Sequence, residues 1–421
     1  MNERSVSVNG ISVYSLTNPN LRSFCLSLYV RAGSIFEDLS NNGISHLFEH
    51  VVFRNIKNKY ENFYELLAMH GLCFQGSTYK KFVSFTIDGP QHEFDFAIEI
   101  LCGLFDEIKL TSHDFNNEKG RIKAEIREKD RRSSLDFYFD SIVWKNSEVE
   151  KIVLGYCKTV DRVSVKKINE FRQKVLSAGN CFVYATGNIS DENLDALNKK
   201  ISKLDISQSN PGFTNTVTVN NEFFHREKKI WIKNNYWHYI QIGFDVDCSK
   251  YPGGVYDLLY ALLFNGDKAL VYNYLSEDNP IIYSYDSTFE QYGNVGNINF
   301  SFEVDRNKIE DVFKTVVELL NAAKDGRFNF EANLNYEMFN WELDLDNPDN
   351  LNWNMAYYNH ILKTQPIDYS DEFYGRFRVT KEQIIDAAKY IFRRCNMTVA
   401  VKGDRKKINA EAIEKILESL D

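Results

Sequence analysis

The chain reads as an α+β protein built from two domains of one design, and three observations lead there. Its 421 residues exceed what one ordinary core organises. Apolar spacings typical of strands and of helices are interspersed along it. An internal repeat relates the halves: Val163-Ser164, Ile168, Asn180 and Gly187 recur as Val379-Thr380, Ile384, Asn396 and Gly403, without a gap and at a constant offset of 216 residues.

Taken in order, residues 5–15 and 22–32 alternate apolar and polar side chains, with Phe24, Leu26, Leu28 and Val30 on one face. That period predicts half-buried strands. A helix is expected from about Ser45, and a second from Asn62 to His70, stopped by Gly71, a residue suited to the left-handed position after a helix. Strands are expected over 72–88, then a helix from Phe94 to Leu110. Residues 117–128 alternate charges as an exposed helix does. In both copies of the repeat a Ser or Thr can cap a helix that leads into a strand, Cys181–Thr186 and Met397–Lys402, each followed by Gly. Turn formers crowd Ser207-Gln208-Ser209-Asn210-Pro211-Gly212, which predicts domains at 1–207 and 223–421 joined by a linker at 208–222.

Composition excludes several classes. The chain carries 50 basic against 59 acidic residues, a net charge of −9, with no basic cluster dense enough to follow a phosphate backbone, so nucleic acid is not an expected partner. No apolar run approaches the ~18 residues of a membrane span, and residues 1–8 lack the apolar core of a signal peptide. A cytoplasmic location is expected. The seven cysteines are scattered, with no C-x-x-C, and read as reduced thiols rather than a disulfide framework or a structural zinc site.

The chemistry concentrates in Gly43-Ile44-Ser45-His46-Leu47-Phe48-Glu49-His50-Val51-Val52-Phe53. On a helix, His46 and His50 return to nearly the same face and can address one ion, with Glu49 alongside as a base. The order H-x-x-E-H inverts the commoner zinc-protease order. A hydrolytic zinc site usually takes three protein ligands, and His₂Glu is one such set, so a carboxylate is required from elsewhere. Glu118 and Glu125, seven residues apart, share one face of the later charged helix.

Here the chain resembles the pitrilysin-like M16 metallopeptidases, whose third ligand lies roughly 75 residues beyond the second His and follows another Glu by seven. Glu125 stands 75 beyond His50 and seven beyond Glu118. Gly33-Ser34 and Gly43-Ile44-Ser45 look like the family's approach to its metal helix. Gly71-Leu72-Cys73-Phe74-Gln75-Gly76-Ser77-Thr78 looks like its substrate-edge strand, with Gln75-Gly76 where the family commonly has Asn-Ala. The resemblance implies one Zn²⁺ per chain on His46, His50 and Glu125, Glu49 as base, and peptide substrate along Phe74, Gln75, Gly76 and Ser77. It implies two homologous domains, each a mostly antiparallel sheet packed with helices. Glu118 then either supports the ligands from behind or is an ordinary surface carboxylate.

The repeat extends to the metal helix at an offset of 211, where Asp257, Tyr260 and Ala261 replace His46, Glu49 and His50. That resembles the family's degenerate second half, which usually donates an Arg and a Tyr, seven apart, to the active site. Tyr283 is in place, as a catalytic residue or as packing, but Ser276 stands where the Arg would be, and a hydroxyl cannot make a guanidinium's forked contact. A related subunit supplying the Arg and Tyr is expected, as in two-chain members of the family, with a homodimer as the other arrangement. The function expected is zinc-dependent cleavage of short unfolded peptides or of a precursor or leader peptide. The alternative is a structural or partner-binding subunit on the same fold. Intact ligands favour the peptidase, because scaffolding members tend to lose them.

Overall fold

The computed structural model describes residues 2–128, 134–213, 238–363, 367 and 377–420. The first domain holds a six-stranded sheet in the order β1-β2-β6-β3-β5-β4. Its strands are β1 (Arg4–Val8), β2 (Ile11–Thr17), β3 (Ser23–Val30), β4 (Cys73–Thr78), β5 (Val83–Pro90) and β6 (Cys181–Gly187). All neighbours pair antiparallel except β2 and β6. The expected single strand over 5–15 is in fact a hairpin. Asn9 and Gly10 both take positive φ, 51° and 77°, the two-residue turn whose twist matches a hairpin.

The helices of this half are α1 (Ile44–Lys57), α2 (Phe63–Met69), α3 (Phe94–Gly103), α4 (Ser112–Glu128), α5 (Leu135–Val143), α6 (Cys157–Asp161), α7 (Val165–Val175) and α8 (Asp191–Ile201). Gly71 has φ 62° after α2, as expected. The helix expected over 94–110 stops at Gly103. Beyond it the Asn169 side chain takes up both backbone groups of Ile108, donating to its carbonyl and accepting from its N–H, which holds that segment outside the helical ladder.

The second domain repeats the plan. Strands β7 (His238–Asp247), β8 (Tyr285–Tyr292), β9 (Val295–Val304) and β10 (Met397–Lys402) form an antiparallel sheet in the order β10-β7-β9-β8, matching β6-β3-β5-β4 strand for strand. Its helices are α9 (Gly253–Phe264), α10 (Leu270–Tyr272), α11 (Ile309–Asp325), α12 (Phe330–Asp344), α13 (Pro348–Met355), α14 (Lys381–Ile391) and α15 (Ala410–Leu417). The repeat is visible bond for bond. Ser164 caps α7 and Thr380 caps α14, each accepting from the backbone three residues on. Asn180 and Asn396 each donate to the carbonyl of the last residue of the preceding helix, Val175 and Ile391. Of the linker expected at 208–222, residues 214–222 lie outside the described residues, as does the start of the second domain through 237.

The domains exchange helices. α5, from the first half of the chain, packs on β7 and β10, while α13, from the second half, packs on β3 and β6. β3 is therefore buried on both faces rather than half-buried as its alternation suggested. Asn352 on α13 accepts from Tyr29 Oη at 2.9 Å and donates to the carbonyls of Cys25 and Tyr184. Among the described residues no helix is long and apolar enough to cross a membrane.

Candidate metal centre

Helix α1 buries Ile44, Leu47, Phe48, Val51, Val52 and Ile56 against the first sheet, and this stripe fixes its rotation. Its start is fixed by a carboxylate. Glu37, almost wholly buried, accepts from Gly43 N at 2.7 Å, from Ser45 N at 2.8 Å and from the Asn42 amide at 2.8 Å. It thereby satisfies N–H groups that a helix start leaves without partners. Burial pushes the Glu37 carboxyl up, and these hydrogen bonds offset part of the rise. Gly43 has φ 94°, and a Cβ there would lie 2.7 Å from Gly155 Cα, so only glycine admits this approach.

One turn on, the His46 and His50 rings stand perpendicular with centroids 4.7 Å apart. α4 crosses α1 and brings Glu125 Oε2 to 3.6 Å from His46 Nε2. One ligand atom each from His46, His50 and Glu125 lie within 4.8 Å of one another, the one such group among the described residues. Atoms bonded at about 2.0–2.1 Å to a tetrahedral ion stand roughly 3.4 Å apart, so this His₂Glu set fits zinc with small adjustments.

Glu49 points from α1 towards the sheet edge, where Thr78 Oγ1 donates to its Oε2 at 2.9 Å. A Cβ at Gly76 would stand 2.8 Å from the other carboxylate oxygen, so the glycine leaves room for the Glu49 side chain. Burial pushes the Glu49 carboxyl up, His50 and the Thr78 hydrogen bond draw it partly back, and the Glu125 charge adds to the rise.

Glu118 is no surface carboxylate. It is 2% exposed, its Oε2 lies 3.6 Å from His50 Nδ1, and Arg121 and Arg54 approach its oxygens at 3.3 and 3.8 Å. It therefore occupies the Nδ1 side of the imidazole and leaves Nε2 for an ion. Burial opposes a charge on His50, but the Glu118 hydrogen bond and the surrounding carboxylates outweigh it and push the imidazole up.

β4 is the terminal strand of its sheet, so among the described residues one backbone edge beside Glu49 has no strand partner. Gln75 is exposed, Gly76 and Ser77 are half-buried, and Phe74 is turned inward, stacked 4.6 Å from Phe53. Phe74 therefore presents its backbone, not its ring, at this edge. Clefts of about 410 and 380 Å³ flank the centre, one reaching His46 and Glu125, the other Glu49 and His50. Tyr283 is 98% exposed, and neither it nor the half-buried Ser276 lines either cleft. The structure thus brings together His46, Glu49, His50, Glu118 and Glu125 at the β4 edge, and leaves Tyr283 apart. Sequence reasoning missed Glu37 and the role of Thr78; a lone acid in a loop and a strand threonine carry no periodic signal.

Two family models match this chain: Insulinase (Peptidase family M16) over residues 12–155, and Peptidase M16 inactive domain over residues 162–332. An uncharacterized zinc protease of Bacillus subtilis, YmxG, is 21% identical over 332 residues, 77% of this chain and 79% of that one. The mitochondrial-processing peptidase subunit beta of Saccharomyces cerevisiae is 23% identical over 190 residues, 44% of this chain and 41% of that one. This chain therefore spans under half of the yeast subunit's length. Among solved structures, a protease from Helicobacter pylori superposes with a TM-score of 0.83 at 18% identity, covering 96% of this chain and 99% of that one.

Proposed function

The chain belongs to the M16 peptidase family, and from that premise we propose that it is a zinc-dependent endopeptidase acting on short unfolded peptides or on a precursor or leader peptide. One observation carries the reading: His46, His50 and Glu125 converge within 4.8 Å, while Thr78 holds Glu49 beside an open strand edge. Zinc on those three residues supplies the Lewis acidity that polarises a peptide carbonyl and lets water attack it near neutral pH. The substrate backbone lies along the free edge of β4, so main-chain hydrogen bonds hold it extended. Glu49 takes the proton of the attacking water as the new C–O bond forms. It then passes that proton to the leaving amine as the C–N bond breaks. Glu118 keeps the His50 ring oriented throughout.

The alternative, a non-catalytic subunit, is disfavoured by the retained donors. The second domain shows what loss looks like: at the equivalent place Tyr260 lies 2.8 Å from Ser287, with no ligand set among the described residues. The yeast relative is named as a subunit, and Ser276 replaces the expected arginine, so assembly with a related chain that brings Arg and Tyr belongs to this reading. Free cysteines throughout suit a reducing compartment such as the cytoplasm. The test is metal analysis with a peptide-hydrolysis assay. About one zinc per chain is expected, lost in His46→Ala, His50→Ala and Glu125→Ala. Glu49→Gln should keep zinc and lose hydrolysis, and a Glu49→Gln protein cleaving at the wild-type rate would remove Glu49 as the base.

A further inference from the structure

The clefts on either side of the metal centre differ in charge, and the difference bears on which peptides are cut. A strand added along β4 passes both, one at the Ser77–Lys80 end and the other at the Phe74–Gly76 end. The first is walled by Phe137, Ile152, Val153 and Leu154. Its one lysine, Lys80, is already held at 3.0 Å by Asp140 and at 3.0 Å by the Val149 carbonyl. The second cleft is lined by three cations, Arg54, Lys57 and Arg121. Arg54 is engaged by Asp114 at 2.6 Å. Arg121 has a 61% exposed side chain and meets Glu118 through one terminal nitrogen only, at 3.3 and 3.4 Å. Lys57 Nζ rests 4.4 Å over the Tyr64 ring, with no carboxylate at ion-pair distance among the described residues. The cleft's own carboxylates lie deep, with Glu118 only 3% exposed in its side chain. Positive charge is therefore outermost, and Arg121 keeps three of its five N–H donors for another acceptor.

We propose that this second cleft is a subsite for an acidic side chain. The carboxylate of a substrate Asp or Glu pairs with Lys57 and Arg121 at the mouth, and its methylenes rest on the aromatic ring of Tyr64. The preferred peptides carry an acidic residue on the Phe74 side of the scissile bond. This deepens the peptidase reading and rests on it.

The test is a set of zinc-loaded assays on peptides identical except for Glu, Gln or Lys placed at each position around the cleaved bond. At one position, on one fixed side, Glu should exceed Gln in kcat/KM by about fivefold, and Lys should fall below Gln. High salt should erase the difference. Lys57→Gln with Arg121→Gln should bring the Glu-to-Gln ratio close to one, and Lys57→Glu with Arg121→Glu should invert it. Fluorescence anisotropy of the same peptides on Glu49→Gln protein gives the comparison without hydrolysis. Tighter Glu-peptide binding that the charge changes abolish, with no cleavage by the zinc-loaded wild-type chain either alone or with a related subunit carrying the Arg and Tyr, would keep the subsite and discard the peptidase reading. Equal binding of Glu, Gln and Lys peptides, or a ratio that survives both double variants, would overturn the subsite.

Discussion

Thr78 Oγ1 lies 2.9 Å from Glu49 Oε2, a hydrogen bond from the edge strand to the carboxylate beside the paired histidines. At the second domain's counterpart of Glu49, Tyr260 Oη meets Ser287 Oγ at 2.8 Å, but Ser287 stands at the register position of Gly76, and Phe289 at that of Thr78. The Thr78–Glu49 contact therefore belongs to the first domain. Thr78→Val keeps the shape of the side chain and removes the donor. A hydrogen bond to a charged group contributes about 1.5–3 kcal/mol, and water can replace part of it, so kcat should fall by about tenfold. Zinc content should stay at the wild-type level. Steady-state kinetics with metal analysis checks both, and an unchanged kcat would remove Thr78 from the positioning of Glu49.

Glu37 holds the start of α1 from a loop outside the helix. Glu37→Ala leaves Gly43 N, Ser45 N and the Asn42 amide without their acceptor in a buried setting. A cost of about 2 kcal/mol in stability is expected, together with weaker zinc binding because His46 lies one turn from the loosened end. Thermal unfolding and zinc competition against a chelator measure the two effects. Unchanged values in both would show that the helix start is held by packing alone.

A second buried carboxylate gives a pH dependence at the junction of the domains. Glu290 accepts from Trp144 Nε1 at 3.0 Å, and its carboxyl is enclosed although other parts of the residue reach solvent. Burial, then the Asp140 charge, pushes it up to about 7, against the pull of Lys80. Its folded value therefore lies above the unfolded one, near 4.3. For such a group the folded state binds the proton more tightly, so stability is greatest below the unfolded value and is lost as pH rises towards about 7. Glu290→Gln keeps an acceptor for Trp144 and removes the charge. It should raise Tm at pH 8, by an amount corresponding to about 1 kcal/mol, and flatten the dependence between pH 5 and 7. Parallel pH profiles of wild type and variant would contradict this.

How much of the molecule was legible follows the range of the interactions. His46, Glu49 and His50 lie within one helical turn, and local spacing states their geometry. Glu125 depends on α4 crossing α1, which no local pattern encodes, so it was reached through resemblance. The repeat gave two domains because identical capping and Asn contacts recur in both. Burial of both faces of β3 was invisible, since Asn352 comes from more than 300 residues away. The Asn9-Gly10 turn was readable, and the alternation across it concealed the break. The inward turn of Phe74 follows from strand period once β4 is placed.

The last expectation concerns what faces the centre from the far side. The resemblance leads to an Arg and a Tyr there. Ser276 supplies no charge, and Tyr283, 98% exposed, lines neither cleft. Ser276 therefore offers no forked cationic contact at the position where the resemblance places the arginine. A preorganised donor acting mainly in the transition state contributes ~2–4 kcal/mol, a factor of roughly 30 to 1000 in rate. The isolated chain should accordingly be a weak peptidase, and a related subunit carrying the Arg and Tyr should raise its kcat within that range. Hydrolysis of a mixed peptide library by the chain alone and with candidate partners, alongside native mass determination, makes the comparison. A partner whose Arg is replaced by Ala should still assemble and should lose the gain. Vigorous turnover by the chain alone, unaltered by any partner, would show that Ser276 is a harmless variation and that the first domain needs no outside donor.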